Sequence, residues 1–188
     1  MRVISGTARG RRLREPAGIE IRPTTDKVKE AVFNIVQFDV EGRRVLDLFA
    51  GTGQLGVEAL SRGAASAVFV DSAPQAVKLV KQNLEICGFS DRAQVIHADS
   101  VGYLAHSGAF DLVFVDPPYD TDLLDRALFS VFQFDILRRN GIMICESRAD
   151  RRIGEVPAPY RIVKQYRYGQ VKLTLITRDA EESVCEER

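Results

Sequence analysis

Four aspartates, a glycine-rich turn and a proline-stiffened turn are the groups in this sequence whose types and spacing could do chemistry. The first turn lies in Val45-Leu46-Asp47-Leu48-Phe49-Ala50-Gly51-Thr52-Gly53-Gln54-Leu55-Gly56, an apolar run that breaks into glycines and restarts with helical periodicity. A strand turning through glycines into a helix brings backbone close to a ligand and points amide N–H groups at it. Gly51-x-Gly53-x-x-Gly56 also satisfies the dinucleotide fingerprint. Asp47, just before the loop, argues against that ligand, because a carboxylate repels a pyrophosphate. A cationic or zwitterionic ligand is instead attracted, and strongly so in a partly dry cleft.

The second turn is Asp116-Pro117-Pro118-Tyr119. Two prolines after a buried strand hold the backbone extended and remove two donors. Acceptors remain, namely the Asp116 carboxylate and nearby carbonyls such as that of Pro117, beside an aromatic ring. Such a cluster can hold the two N–H hydrogens of an exocyclic amine while Tyr119 stacks on the base that carries it. Read with Asp47, it points to a methyl donor as the cationic ligand and an amine as acceptor. The plain alternative is a stiffened turn and nothing more.

Ligands of an open α/β sheet collect beyond the carboxyl ends of its strands. Asp47, Asp71, Asp99 and Asp116 all fall at expected strand ends. Asp71 follows the glycine loop by about the interval at which a carboxylate meets ribose hydroxyls. Asp99, with Ser100 after it, is placed to bond an adenine edge. Aspartate also favours turns, so one alone means little. The two histidines, His97 and His106, occupy no motif position and read as structural.

Positioning these groups requires alternating strands and helices. Short apolar runs predict strands at 44–48, 67–71, 93–97, 111–115 and 141–146, with helices at 54–62, 74–87, about 100–105 and 122–137. That alternation implies a mostly parallel sheet with helices on both faces. Residues 161–168 and 170–177 alternate around Gly169 and predict an antiparallel hairpin that closes the sheet. Before the sheet, residues 1–16 read as a small hairpin that must dock on the main body, followed by a helix over about 25–37 capped by Thr24 or Thr25. The expected divisions are an extension over 1–42, the sheet domain over 43–178 and an acidic tail over 179–188.

With 188 residues, 45% hydrophobic and 28% charged, the chain suits one well-buried domain. Three cysteines, Cys87, Cys145 and Cys185, show no metal spacing; the first two read as buried thiols of a reducing cytoplasm. No apolar run reaches the length of a membrane span and no leader opens the chain, so a cytoplasmic protein is expected. The zero net charge hides a pattern. Ten Lys/Arg face six Asp/Glu in 1–44, eight face fourteen in 45–150, seven face one in 151–178 and one faces five in the tail. Basic flanks around an acidic centre suit a polyanion gripped at the edges of the fold. Arg9, Arg11, Arg12 and Arg14, with Lys164, Arg167 and Lys172, are the residues expected to hold it. The N-terminal arm is expected to serve this grip rather than to complete the core.

GTARGRRL near the start, RPTTDKVKEAVFNI at 22–35, LDLFAGTGQLGVEALSRGA at 46–64 and FVDPPY at 114–119 resemble the bacterial methyltransferases that modify guanine in small-subunit (16S) ribosomal RNA. The resemblance runs from Arg2 to about Thr177. It implies a Rossmann-like class I methyltransferase sheet, S-adenosylmethionine as cofactor, and methylation of the guanine 2-amino group. Carried over by position, it puts Arg22, Thr24, Asp47, Phe49, Ala50, Gly51, Gly53, Asp71, Ser72, Asp99, Ser100 and Asp116 around the cofactor. It puts Asp116, Pro117, Pro118 and Tyr119 at the reacting amine. The implied partner is ribosomal RNA or a small-subunit assembly intermediate, met by a monomer that uses no metal. Tyr119 stands where the family often has Phe, and Asp71 where Glu is also common. Other readings are an amine methyltransferase acting on DNA adenine or protein glutamine, a non-catalytic RNA-binding assembly factor, and a nicotinamide oxidoreductase that rests on the glycine spacing alone.

Overall fold

The computed structural model describes residues 1–15 and 26–179. Thr24, Thr25 and Arg22, with the tail that holds Cys185, lie outside the described residues.

A seven-stranded sheet organises the chain. Its strands are β1 (Arg44–Leu48), β2 (Ser66–Asp71), β3 (Ala93–His97), β4 (Phe110–Val115), β5 (Leu137–Arg148), β6 (Tyr160–Tyr168) and β7 (Val171–Arg178). They lie side by side as β3-β2-β1-β4-β5-β7-β6. The first five run parallel, and β7 pairs antiparallel with both β5 and β6. The strand order reverses direction between β1 and β4, so a crevice opens beyond their carboxyl ends.

Helices α1 (Asp26–Ile35), α2 (Gln54–Ser61) and α3 (Pro74–Cys87) contribute to the core cluster on one face. On the other face α4 (Ser100–Leu104) and α5 (Leu123–Gln133) supply the second cluster. The periodicity explains the orientation: Leu124, Ala127, Leu128 and Val131 put one stripe of α5 into the core. Every residue of α2 is buried, which suits the helix that follows the glycine turn. Gly56 lets α2 approach β2, because a Cβ there would lie 2.2 Å from Phe69 Cε1. Cys87 and Cys145 are buried free thiols, and burial pushes Cys145 up to about 12.

Two expectations change. The helix expected over 122–137 ends at Gln133; Asp135 takes φ 51, and Leu137 already pairs in β5 with Phe110. Buried Ile136 and Leu137 continue the apolar pattern and mimic a longer helix. Asp135 is held in the left-handed conformation by Tyr160 Oη, which donates to its Oδ1 at 3.0 Å, and by Arg178 Nη2 at 3.1 Å from Oδ2.

The second change concerns residues 1–15. They form a single antiparallel bridge, Arg2 with Arg12, in place of a developed hairpin. They also complete the core rather than standing off it: Val3, Ala8 and Leu13 are buried in the cluster of α1–α3. Buried polar groups dock the arm. Glu58 of α2 accepts from the Ile4 and Ser5 amides at 2.8 and 2.9 Å and from Arg62 Nε at 2.9 Å. The fully buried Lys29 Nζ donates to the Arg2 carbonyl at 2.6 Å and lies 3.9 Å from Glu58. Desolvation lowers the Lys29 pKa, and the Glu58 charge opposes that shift. Thr7 N donates to the Ser61 carbonyl at 2.8 Å, and Ala8 N to its Oγ at 3.0 Å.

Gly6 is where this docking is tightest. Its φ is +80, and a Cβ would stand 1.8 Å from the Ser61 carbonyl oxygen. Gly6→Ala is expected to destabilise the protein by at least ~1–3 kcal/mol from backbone conformation alone, with the clash added. Denaturant midpoints would measure the loss; an unchanged midpoint would show that the arm is not docked in this way.

Candidate functional site

Beyond the carboxyl ends of β1, β2, β3, β4 and β5 lies a cavity of about 690 Å³. Its walls include Phe49, Ala50 and Gly51 after β1, Asp71 at the end of β2 and Ser72 after it, Asp99 and Ser100 after β3, and Asp116 through Tyr119 after β4. Thus of the expected cofactor and reaction groups among the described residues, all but Gly53 face one space. Arg22 and Thr24 lie outside the described residues, although Glu15 and Val28, on either side of them, line the cavity.

The turn after β1 explains why so many glycines are needed. Phe49, Gly51 and Gly53 all have positive φ, at 66, 54 and 74. Such a path wraps the backbone round the strand end. Gly53 N donates to the Ala50 carbonyl at 2.7 Å, and Asn83 Nδ2 to the Thr52 carbonyl at 2.9 Å. Gly53 is not among the cavity's walls, and a Cβ there would meet Val80 at 3.1 Å and Phe69 at 3.4 Å, so a side chain at 53 would press on the core.

Two carboxylates occupy the amides that the turn exposes. Asp47 Oδ2 accepts from Gly56 N, in the first turn of α2, at 2.8 Å. Asp71 Oδ2 accepts from Gly51 N at 2.8 Å and its Oδ1 from Ala73 N at 2.8 Å. A dinucleotide site leaves such N–H groups for the pyrophosphate. Here carboxyls of the chain already accept from them, so these N–H groups are not left for a phosphate. Asp47 is 2% exposed, and its carboxyl is raised to about 7, chiefly by desolvation; the Gly56 bond opposes the rise and the Asp71 charge adds to it.

Asp99 caps α4, its Oδ2 accepting from Gly102 N at 2.6 Å, with buried Ser100 behind it. His97 Nε2 lies 3.0 Å from the Ser72 carbonyl and tethers the wall after β2. Asp116 is half-buried and Pro117 buried, while Pro118 is exposed and its carbonyl accepts from Thr121 Oγ1 at 2.8 Å. Tyr119 Oη donates to Glu146 Oε1 of β5.

Glu146 and Gln54 are cavity residues that sequence reasoning missed. Each left a signal: a lone carboxylate ending the apolar run Ile142-Met143-Ile144-Cys145, and a polar residue directly after the glycine turn at the start of α2. Gln54 is buried, and its Oε1 has no hydrogen-bond partner among the described residues. That acceptor, the acidic strand ends and the apolar Phe49 and Leu123 fit a ligand with cationic, hydroxyl and aromatic parts.

The basic residues fall in two places. Arg9, Arg11, Arg12 and Arg14 are exposed on the arm, where Arg11 Nη1 donates to the Ile86 carbonyl of α3 at 2.7 Å. Lys164 and Arg167 are exposed on β6 at the far end of the strand order. Lys172 is partly buried and donates to the Arg151 carbonyl, so it is a weaker candidate for a free cation than its neighbours. Among the described residues no group of His, Cys, Asp or Glu could hold a metal ion, and no helix is long and apolar enough to cross a membrane.

The sheet order, the glycine turn with its carboxylates and the proline turn at the end of β4 define a class I methyltransferase fold, and solved structures agree. The chain belongs to the family described as conserved hypothetical protein 95, whose model matches residues 1–177. It is 39% identical over 174 residues to Bacillus subtilis YlbH, provisionally named an rRNA methyltransferase, covering 90% of this chain and 94% of that one. It is 33% identical over 182 residues to ribosomal RNA small subunit methyltransferase D of Escherichia coli, covering 96% and 91%. The solved structure of Escherichia coli yhhF, provisionally named a methyltransferase, superposes with a TM-score of 0.85 at 33% identity, covering 96% of this chain and 99% of that one.

Asp47 makes the site's charge measurable. Its folded pKa of about 7 lies above the ordinary 3.8, so between those values the folded state holds a proton that the unfolded chain has lost. Its contribution is therefore present in full below about pH 4 and lost as pH rises to about 7. Asp47→Asn keeps an oxygen for Gly56 N and removes the titration. Denaturant midpoints of this variant are expected to fall less steeply than wild type across that window; parallel curves would refute the assignment.

Proposed function

We propose that the protein transfers a methyl group from S-adenosylmethionine to the exocyclic 2-amino group of a guanine in small-subunit ribosomal RNA. The observation that carries this reading is that Asp116-Pro117-Pro118-Tyr119 and the carboxylate-filled glycine turn line one cavity. The names of the relatives support ribosomal RNA as the substrate class.

S-adenosylmethionine, when bound, supplies an electrophilic methyl on a sulfonium. The cationic end of that molecule, lying by the glycine turn, would favour the ionised form of Asp47, whose pKa of about 7 leaves it partly protonated without such a charge. Asp71, with Ser72 nearby, would take its ribose hydroxyls, Asp99 and Ser100 its adenine edge, and Phe49 and Ala50 would cover its apolar surface. Asp116 and the Pro117 carbonyl accept the two N–H hydrogens of the target amine and aim its lone pair. Those bonds also push electron density back onto a nitrogen whose lone pair is delocalised into the base, and Tyr119 stacks on the ring. Catalysis is then mainly positioning, aided by a carboxylate that meets the positive charge growing on nitrogen. The exposed Arg9, Arg11, Arg12 and Arg14, with Lys164, Arg167 and Lys172, hold phosphates and give affinity without sequence.

Digested small-subunit RNA from cells lacking the protein should have lost one N2-methylguanosine, restored by the purified protein with S-adenosylmethionine. Loss of a methylated adenine, or of none, would overturn the reading. Asp116→Ala is expected to bind S-adenosylhomocysteine normally and to lose on the order of a hundredfold or more in kcat. Near-normal turnover would remove Asp116 from the reaction. Asp116→Asn keeps one acceptor but is a negligible base, so substantial activity there would assign the residue to holding the amine.

Neutralising the four arm arginines is expected to weaken RNA binding and flatten its salt dependence. Melting should stay near wild type, because the arm is docked by Val3, Ala8, Leu13 and backbone amides. Unchanged RNA binding across salt would make the arm ordinary solvated surface.

A further inference from the structure

β5 outruns β4. The last paired residues of these parallel strands are Val115 and Cys145, after which β4 turns into its prolines and β5 continues to Arg148. One step beyond that pair stand Asp116 and Glu146. Both carboxylates line the same cavity. Glu146 is only 6% exposed although the cavity reaches it, and it is held from two sides. Its backbone is registered against Leu173 of β7, and its Oε1 accepts from Tyr119 Oη.

A carboxylate has lone pairs enough to accept from Tyr119 and from a ligand as well, so whatever fills the cavity meets an acceptor here, and the purine bases differ in what they offer it. Guanine carries two adjacent kinds of donor on its pairing edge, the 2-amino hydrogens and N1–H. Adenine places an acceptor, N1, beside its amine. An ionised carboxylate accepts only. With the target amine on Asp116, an acceptor next to it matches guanine N1–H. It would set lone pair against lone pair for a purine whose N1 carries no hydrogen.

We propose that Glu146 selects guanine by accepting the N1–H hydrogen while Asp116 holds the neighbouring amine. Tyr119 serves both carboxylates: its ring stacks on the base and its hydroxyl fixes the Glu146 head. This inference rests on the guanine-amine reading above.

Three proteins would be compared on small ribosomal subunits from cells lacking the enzyme: wild type, Glu146→Gln and Tyr119→Phe. The amide of Glu146→Gln keeps the size of the side chain and can turn an N–H toward N1. It is expected to lower kcat/KM by roughly 10- to 100-fold, with S-adenosylhomocysteine affinity within about twofold of wild type. Tyr119→Phe, which removes only the hydroxyl contact, is expected to lose less than about a third of that effect on a logarithmic scale.

The selective readout uses subunits reconstituted with 2-aminopurine at the mapped position, which keeps the amine and makes N1 an acceptor. Wild type should discriminate against it by more than about tenfold and Glu146→Gln should accept both bases within a few-fold. Equal discrimination by the two proteins, or a Glu146→Gln loss no larger than that of Tyr119→Phe, would overturn the proposal. Should Glu146→Gln unfold or lose cofactor affinity, Glu146→Asp decides: retained discrimination supports the assignment and lost discrimination refutes it. The wild-type product keeps the two readings apart. A methylated adenine overturns both, whereas N2-methylguanosine with unaltered selectivity in the variants overturns only the role of Glu146.

Discussion

The bond from Gly56 N to the buried Asp47 carboxylate is the constraint on which the site depends. It ties the end of β1 to the first turn of α2 across the glycine loop, so the loop cannot open without exposing a helix N-terminus. It also uses a helix-terminal donor on a group of the protein's own. A helix N-terminus left bare attracts phosphate. One already matched by a carboxyl of the chain, with a second on Gly51 N, leaves those donors to no phosphate. A glycine spacing shared with dinucleotide sites thereby loses the feature that makes such sites bind pyrophosphate. The spacing sets the path of the backbone, and the residues at 47 and 71 decide what the path can hold.

The same economy of buried polar groups builds the other wall. Glu58, Lys29, Ser61 and Asn83 are all buried, and each takes up backbone groups of the N-terminal arm. Burying Lys29 lowers its affinity for a proton, and only the Glu58 charge close by makes its ammonium tolerable. Once paired, these groups fix the arm so that Met1 and Glu15 reach the cavity rim. The arginines that alternate with Val3, Ala8 and Leu13 are then left outside. An arm whose apolar residues are core and whose basic residues are surface can be anchored and exposed at once.

Much of this was legible beforehand, and unevenly. Parallel strands announce themselves through apolar runs such as Leu112–Val115, and the strand-end aspartates follow from them, so the groups around the cavity could be named from the sequence. What failed was whatever depended on a partner distant in the chain. That a side chain at Gly53 would meet Val80 and Phe69 cannot be read from the chain around it. The end of α5 was hidden because Ile136 and Leu137 are apolar in helix and strand alike; Tyr160 and Arg178, far along the chain, hold Asp135 in its turn. Residues 1–15 read as a basic appendage because the eye falls on four arginines, while their docking is written in single buried residues of α1, α2 and α3. Glu146 was passed over for the same reason, since its partner Tyr119 lies on the turn after another strand.

The antiparallel pair at the sheet's end has a structural purpose of its own. A parallel strand at an edge has one bonded neighbour, and β5 would lose even that one where β4 turns away after Val115. Because β7 pairs with β5 from Ile142–Thr177 through Arg148–Val171, the overhanging part of β5 keeps a full ladder beyond the point where its other neighbour has left. Glu146 and Arg148 therefore project along the cavity from a bonded strand rather than from a loop. β6 in turn covers the outer side of β7, so this supporting strand is itself no edge. A carboxylate that accepts from Tyr119 while only 6% exposed keeps its place because its strand is bonded: a loop would let it swing toward solvent, where its charge is better hydrated. The hairpin that closes the sheet is thus what allows a buried acid to remain within reach of the proline turn.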